Sequence, residues 1–328
     1  MTDLCEAELR HSRYYASVLR DASNLYKRGG EQVREALELF EINITNIRNG
    51  QAWSESHTDE GSAAAICSRY ADAGGYLLRL RLHPRDRIRW LEGAVAAARQ
   101  LQDKKAEGVH TGNLANAHLN VGETDRARDL YQWRLAIATE LDDSDAEEKI
   151  LGNLASVQLA LGENNKAIEL LERRLAFTRR SKDRRGEGHA LGNLGVAYNR
   201  LGDFARAIEF LKEDLAICRD IGDKKGEGAA LANLAIAYRK LGESERAIDL
   251  YNRALILART IGDRRLEGHS LFNISLSLND LGRTTEATDH AVAALEILSQ
   301  EEDPEAGSVQ RQVDRWKERG NRDVNAHS

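Results

Sequence analysis

Asparagine returns every 40 residues along this chain, at Asn113, Asn153, Asn193, Asn233 and Asn273. The text around it returns too: Gly-Asn-Leu-Ala at 112–115 and 152–155, Gly-Asn-Leu-Gly at 192–195, Ala-Asn-Leu-Ala at 232–235. A fixed period of this size restricts the chain to a stacked architecture, in which each unit buries its apolar face against its neighbours. An apolar core would account for constant Leu and Ala. It would not account for constant Asn, so the Asn positions are the first candidates for function.

Within one unit, 183–222, two helices are legible. Asp183 stands as an N-cap with Glu187 in the first turn. Leu191, Leu194, Tyr198 and Leu201 then recur at helical spacing as an apolar stripe. Gly202 occupies the place of a left-handed C′ residue, and Asp203 opens a second helix whose stripe is Ala207, Ile208, Leu211, Leu215 and Cys218. Each unit therefore reads as two antiparallel helices joined by a very short turn. The punctuation holds in register: Asp103, Asp143, Asp183, Asp223 and Asp263 open the units, Gly122, Gly162, Gly202, Gly242 and Gly282 divide them, and Ala127, Ala167, Ala207, Ala247 and Ala287 mark close contacts of the second helices.

Five such units span 103–302. A sixth, 63–102, is degenerate: Ala73 stands in place of Asn, a single first helix is expected over 63–81, and His83-Pro84 supplies a cap and an N1 proline for the second. Upstream, 1–62 is an N-terminal segment with amphipathic helices over 4–28 and 31–52 and a polar loop over 53–61. A capping helix is expected over 303–319, carrying Val309, Val313 and Trp316, with a disordered tail over 320–328. The expected fold class is all-α: a right-handed superhelical solenoid of antiparallel helix pairs.

These residues resemble the tetratricopeptide repeat. Its small first-helix residue matches Ala115, Ala155, Gly195, Ala235 and Ser275; its aromatic matches Tyr198 and Tyr238, while His118, Gln158 and Leu278 depart from it. The long period resembles that of kinesin light chains, Pins-type G-protein-signalling modulators and bacterial signalling proteins. Residues 11–60, with His11-Ser-Arg-Tyr-Tyr15, Asn46 and Trp53, resemble the helices that precede such repeats in STAND-type signalling ATPases. The P-loop pattern G-x-x-x-x-G-K-[ST] is absent from the sequence, so the chain reads as a free-standing relative or as a piece of a longer one.

Placed on its helix, Asn193 lies beside the core stripe, with His189, Val196 and Arg200 at the spacing of one face. The equivalents are Val109, Asn113, Asn116 and Asn120; Lys149, Asn153, Ser156 and Ala160; Ala229, Asn233, Ile236 and Lys240; His269, Asn273, Leu276 and Asp280. First helices line the concave wall of a helical-hairpin stack, so this stripe is expected to face a groove. An amide offers both a donor and an acceptor to a peptide unit. The expected peptide-binding groove comprises Asn113, Asn116, Asn120, Lys149, Asn153, His189, Asn193, Arg200, Asn233, Lys240, His269 and Asn273. The competing reading is a ladder of amides tying repeats to one another. Lys149, Arg200 and Lys240 favour a partner with acidic residues. Basic pairs at the helix starts, such as Lys104-Lys105 and Arg184-Arg185, read as a solvated edge.

Net charge −6 argues against a nucleic-acid partner. No run of about 18 apolar residues suggests a membrane span. Three scattered cysteines point to a reducing cytoplasm and to buried thiols, Cys218 among them, rather than a disulfide framework. No His/Cys cluster has metal-ligand spacing and no nucleophile–base pair is legible, so neither cofactor nor catalysis is expected. The leading expectation is an interaction scaffold that holds a peptide segment of a partner. The alternatives are a ligand-sensing module of a STAND-type ATPase and a receptor for a short signalling peptide. Oligomeric state is left open.

Overall fold

The computed structural model describes residues 3–326, with side chains through residue 318. Its described residues form sixteen α-helices and no strand. In chain order they are α1 (Asp3–Arg28), α2 (Gln32–Ser56), α3 (Gly61–Ala73), α4 (Gly75–Arg81), α5 (Pro84–Gln100), α6 (Lys104–Asn120), α7 (Thr124–Glu140), α8 (Ser144–Ala160), α9 (Asn164–Ser181), α10 (Arg184–Leu201), α11 (Phe204–Asp220), α12 (Lys224–Lys240), α13 (Ser244–Ile261), α14 (Arg264–Asp280), α15 (Thr284–Gln300) and α16 (Ala306–Ala326). The architecture is an all-α array of helical repeats. It divides into unit 1, residues 1–161, and unit 2, residues 162–328.

Every repeat begins the same way for the same reason. Asp103, Asp143, Asp183, Asp223 and Asp263 each accept a hydrogen bond from the backbone N–H three residues on, at 2.9–3.0 Å. Each such cap contributes about 1 kcal/mol to a helix start. The turn between the paired helices is made by glycines held at φ of 77–84°, a region that costs a side chain its Cβ contacts. The second helices are started less uniformly. Asp203 caps α11 through Arg206 N–H at 3.1 Å, whereas Glu123, Glu163, Glu243 and Arg283 occupy the same place without a side-chain cap.

Packing follows the two stripes. Leu191, Leu194 and Tyr198 are buried, as are Ala207, Leu211, Leu215 and Cys218 opposite them. Leu201 is not: at the end of α10 it is 45% exposed. Gly195 sets the closest approach, since a Cβ there would lie 2.4 Å from Leu211 Cγ. Unit 1 has its own core, in which Leu19, Phe40, Ile47, Tyr70, Leu77 and Trp90 bring α1 and α2 onto the degenerate repeat. The Tyr70 hydroxyl donates to the Ser12 carbonyl at 2.9 Å, fixing α3 against α1.

Three sequence expectations are corrected. The loop expected over 53–61 is shorter, 57–60: α2 continues to Ser56, and Ser54 is buried and satisfied by the Gln51 carbonyl. The first helix of the degenerate repeat is broken into α3 and α4 at Gly74, where a Cβ would meet Leu78 Cγ at 2.2 Å. Helix α16 runs on to Ala326 instead of ending near 319, and His327 and Ser328 lie outside the described residues.

Consecutive repeats are joined by a recurring ion pair. Arg99, Arg179, Arg219 and Arg259 in the last turns of second helices reach Glu107, Glu187, Glu227 and Glu267 in the next first helix, at 2.7–3.0 Å. All four carboxylates are buried. The basic residues at the starts of these first helices complete the arrangement: Arg184, Lys224 and Arg264 bond the other carboxylate oxygen of the same Glu. The first basic residue at these helix starts, read from the sequence as part of a solvated edge, pairs with a buried acid.

Candidate functional site

Within unit 2 the first helices pack along one another, α10 on α12 and α12 on α14, more closely than the second helices α11, α13 and α15 do. The first helices are thus the closely spaced row of this unit. Their second stripe is accessible, as expected. Asn193, Asn233 and Asn273 are half-buried, as are Val196, Ile236 and Leu276, while His189, Arg200, Ala229, Lys240 and Asp280 are exposed. An amide flanked by an apolar residue and a charged one recurs on each helix.

The hydrogen bonds separate these amides. Among the described residues the side chains of Asn193 and Asn233 have no protein partner. Asn273 donates to the His269 carbonyl of its own helix at 2.9 Å. Among the described residues no side-chain hydrogen bond joins one of these amides to the next. The tie between α10 and α12 is made by a residue outside the expected set: Asn199 Nδ2 donates to the main-chain carbonyl of Asn233 at 3.0 Å. Between α12 and α14 the corresponding tie is an ion pair, Arg239 to Asp280 at 2.7 Å. At the far end His269 faces Asp303 at 3.3 Å and Glu305 at 3.4 Å, so it serves the junction with the C-terminal segment. The Glu305 N–H, with His269 and Arg265, holds the Asp303 carboxyl below the usual range.

In unit 1, Asn113 is half-buried and Asn116, Asn120, Lys149 and Asn153 are exposed. Asn116 is engaged internally: it donates to the Gly112 carbonyl and accepts from the Tyr131 hydroxyl at 2.7 Å. Asn113, Asn116 and Asn120 all border an open cavity with Arg79 and Arg87 on its walls. Sequence periodicity missed this cavity because the basic residues come from the degenerate repeat.

Cys218 is buried and donates to Asp214 Oδ1 at 3.3 Å; burial, then the nearby Asp214 charge, pushes its thiol up to about 12. Burial raises Cys67 to about 12 as well. Thiols so raised are not thiolates at neutral pH. Among the described residues no group of three His, Cys, Asp or Glu side chains could hold a metal, and no helix is long and apolar enough to cross a membrane.

Family models described as tetratricopeptide repeat match residues 146–220, 226–300 and 108–133. The chain is a tetratricopeptide-repeat protein. No curated protein matches its sequence. Among solved structures this tetratricopeptide-repeat chain is similar to BtubC (BKLC) from P. vanneervenii, at 21% identity and a TM-score of 0.57, covering 67% of this chain and 92% of that one. It is also similar to the STAND protein with a tetratricopeptide repeat sensor from Pyrococcus horikoshii, at 17% identity and a TM-score of 0.57, over 99% of this chain and 54% of that one. A Rap protein complexed with Competence and Sporulation Factor is similar at 14% identity and a TM-score of 0.53, over 96% and 98% of the two chains. At these identities the likeness establishes a shared fold. Repeats of this family are generally interaction scaffolds rather than catalysts.

Proposed function

We propose that this protein is a non-enzymatic interaction scaffold that holds a peptide segment of a partner protein against the first-helix faces of its repeats. The observation that carries the reading is the pair of unpartnered amides, Asn193 and Asn233, each half-buried beside an apolar neighbour, Val196 or Ile236. A half-buried amide without a protein partner offers both of its hydrogen-bonding groups to an incoming peptide unit. Lys240 and His189, exposed on the same stripe, favour acidic side chains in that peptide. The similar Rap protein, complexed with Competence and Sporulation Factor, supports the binding of a partner by this fold.

The test is a pull-down from native cytoplasm with wild type and the Asn193→Ala/Asn233→Ala variant side by side. Retention of the partner by wild type and its loss by the variant, with a melting temperature moved by less than about 2 °C, is the expected result. Equal capture by both proteins would remove the amides from the binding site.

A second reading, a sensor module of a STAND-type ATPase, is favoured by one observation: the likeness to the Pyrococcus horikoshii STAND protein extends over 99% of this chain. It predicts that the chain alters ATP hydrolysis by a cognate ATPase domain supplied in trans.

A further inference from the structure

The cavity in unit 1 has a volume of about 380 Å³ and is walled by α1, α4, α5 and α6. Three cations line it: Lys27 in the last turn of α1, Arg79 on α4 and Arg87 on α5. Tyr76 stands between the first two. Lys27 Nζ lies 5.8 Å and the Arg79 guanidinium 5.4 Å from its ring centre, and the residue is 49% exposed. Asn113 and Asn120 supply amides on the α6 wall.

No carboxylate lines this cavity, and among the described residues none of the three cations pairs with one. That sets them apart from Arg99, Arg179, Arg219 and Arg259, each bound to a buried glutamate. Arg87 is half-buried; its burial, and then the charge of Arg79, pushes its guanidinium down from the ordinary value. Two guanidiniums that repel each other on a chain of net charge −6 lack a counter-charge. A second cavity of about 360 Å³ shares Lys27 and adds Arg13, Arg20 and Arg69 against a single carboxylate, Asp72.

We propose that the cavity between α1, α4, α5 and α6 binds a nucleotide carrying two or more phosphates, with Lys27, Arg79 and Arg87 on the phosphates and Tyr76 against the base. Its volume falls within the range of small-molecule sites. Guanidinium forks match phosphate oxygens in pairs, which explains why arginine rather than lysine predominates on the walls. The Tyr76 ring, now flanked by Lys27 and Arg79, would stack a base once those two side chains swing onto the phosphates. The amides of Asn113 and Asn120 carry both donors and acceptors for its polar edge. An acidic peptide would satisfy the cations and the amides but would leave the ring without a stacking partner. The site does not depend on the Asn193–Asn233 face, and either stands without the other.

Titration calorimetry on the full chain tests the proposal, with ATP, GTP, inorganic triphosphate and a glutamate-rich peptide as probes. ATP or GTP is expected to bind with a Kd on the order of micromolar to tens of micromolar. Arg79→Ala and Arg87→Ala should each weaken it by about tenfold or more, the loss of one charge-assisted contact. Tyr76→Ala should bring the nucleotide down to the affinity of inorganic triphosphate. Arg246→Ala, which removes an arginine lying over Tyr238 in unit 2, should change nothing. Circular dichroism and melting of each variant establish folding, and exposed Arg79 provides the reading should Arg87→Ala fail to fold. Absence of nucleotide binding at about 1 mM, an equal loss in Arg246→Ala, or tighter binding of the glutamate-rich peptide at the same arginines would each overturn the proposal.

Discussion

Arg219 Nε donates to Glu227 Oε1 at 2.8 Å, joining the end of one repeat to the start of the next. Lys224 holds the second carboxylate oxygen at 3.2 Å. Burial works to raise the Glu227 carboxyl, but the bonds from Arg219 and Lys224 outweigh it and hold the group below its ordinary value. A carboxyl lowered by folding contributes stability that is present above its unfolded pKa and is lost as pH falls through the folded one. Glu227→Gln is therefore expected to destabilise the protein at pH 7 by about 1–3 kcal/mol. The difference from wild type should hold from neutral pH to about 5 and shrink below about 4. Urea unfolding at a series of pH values measures it; a deficit that persists undiminished at low pH would show that the bonds to the carboxylate are not its source.

Asp214 behaves in the opposite sense. It is buried on α11 beside Gly192, and burial raises its carboxyl to about 6, the hydrogen bond from Cys218 only partly countering this. A carboxyl raised by folding favours the native state where it is protonated and costs stability where it must be charged. Asp214→Asn should accordingly raise stability at pH 7.5 by on the order of 1–3 kcal/mol. That gain should decline as pH is lowered through about 6. Paired melting curves at pH 7.5 and pH 5 read the effect, and a gain that does not change between them would locate its origin elsewhere.

Lys182 sits at φ 59° after α9, the place taken by Gly222 and Gly262 in the following repeats at φ 71°. A side chain in the left-handed region crowds its own backbone, and glycine does not. Lys182→Gly should stabilise the protein by about 0.5–1 kcal/mol, readable as a shift in urea midpoint at constant m-value. The same change at exposed Arg180, inside α9, should destabilise by a similar amount.

The features that repeat were legible because one residue type did one job five times. Asp183 and its equivalents cap, Gly202 and its equivalents turn, and the accessible placement of Asn193 beside Leu194 follows from helical spacing alone. Features with one member were not. Gly74 breaks a helix only because Leu78 packs over it, a contact that no local pattern encodes. Ser54 and Ser56 read as loop residues but are satisfied by their own helix. The Arg219–Glu227 pair escaped notice because a spacing of eight residues across a turn is not a helical period. The cavity at Arg79 and Arg87 could not be read at all, since α1 and α4 come together only through the core around Leu19 and Leu77. Of the expected binding residues, Asn116, His269 and Asn273 are drawn into internal bonds, while Asn193 and Asn233 remain available.

Because the repeats 183–222 and 223–262 each end in the arginine and begin with the glutamate, the couplings are interchangeable. Excising residues 183–222 would bring Asp223 directly after Lys182 and leave Arg179 as far before Glu227 as Arg219 is now. The junction formed would be chemically the same as the one removed. The array is thus written in a form that can gain or lose whole cassettes without new surfaces being invented, and its length is free to follow the size of whatever it holds.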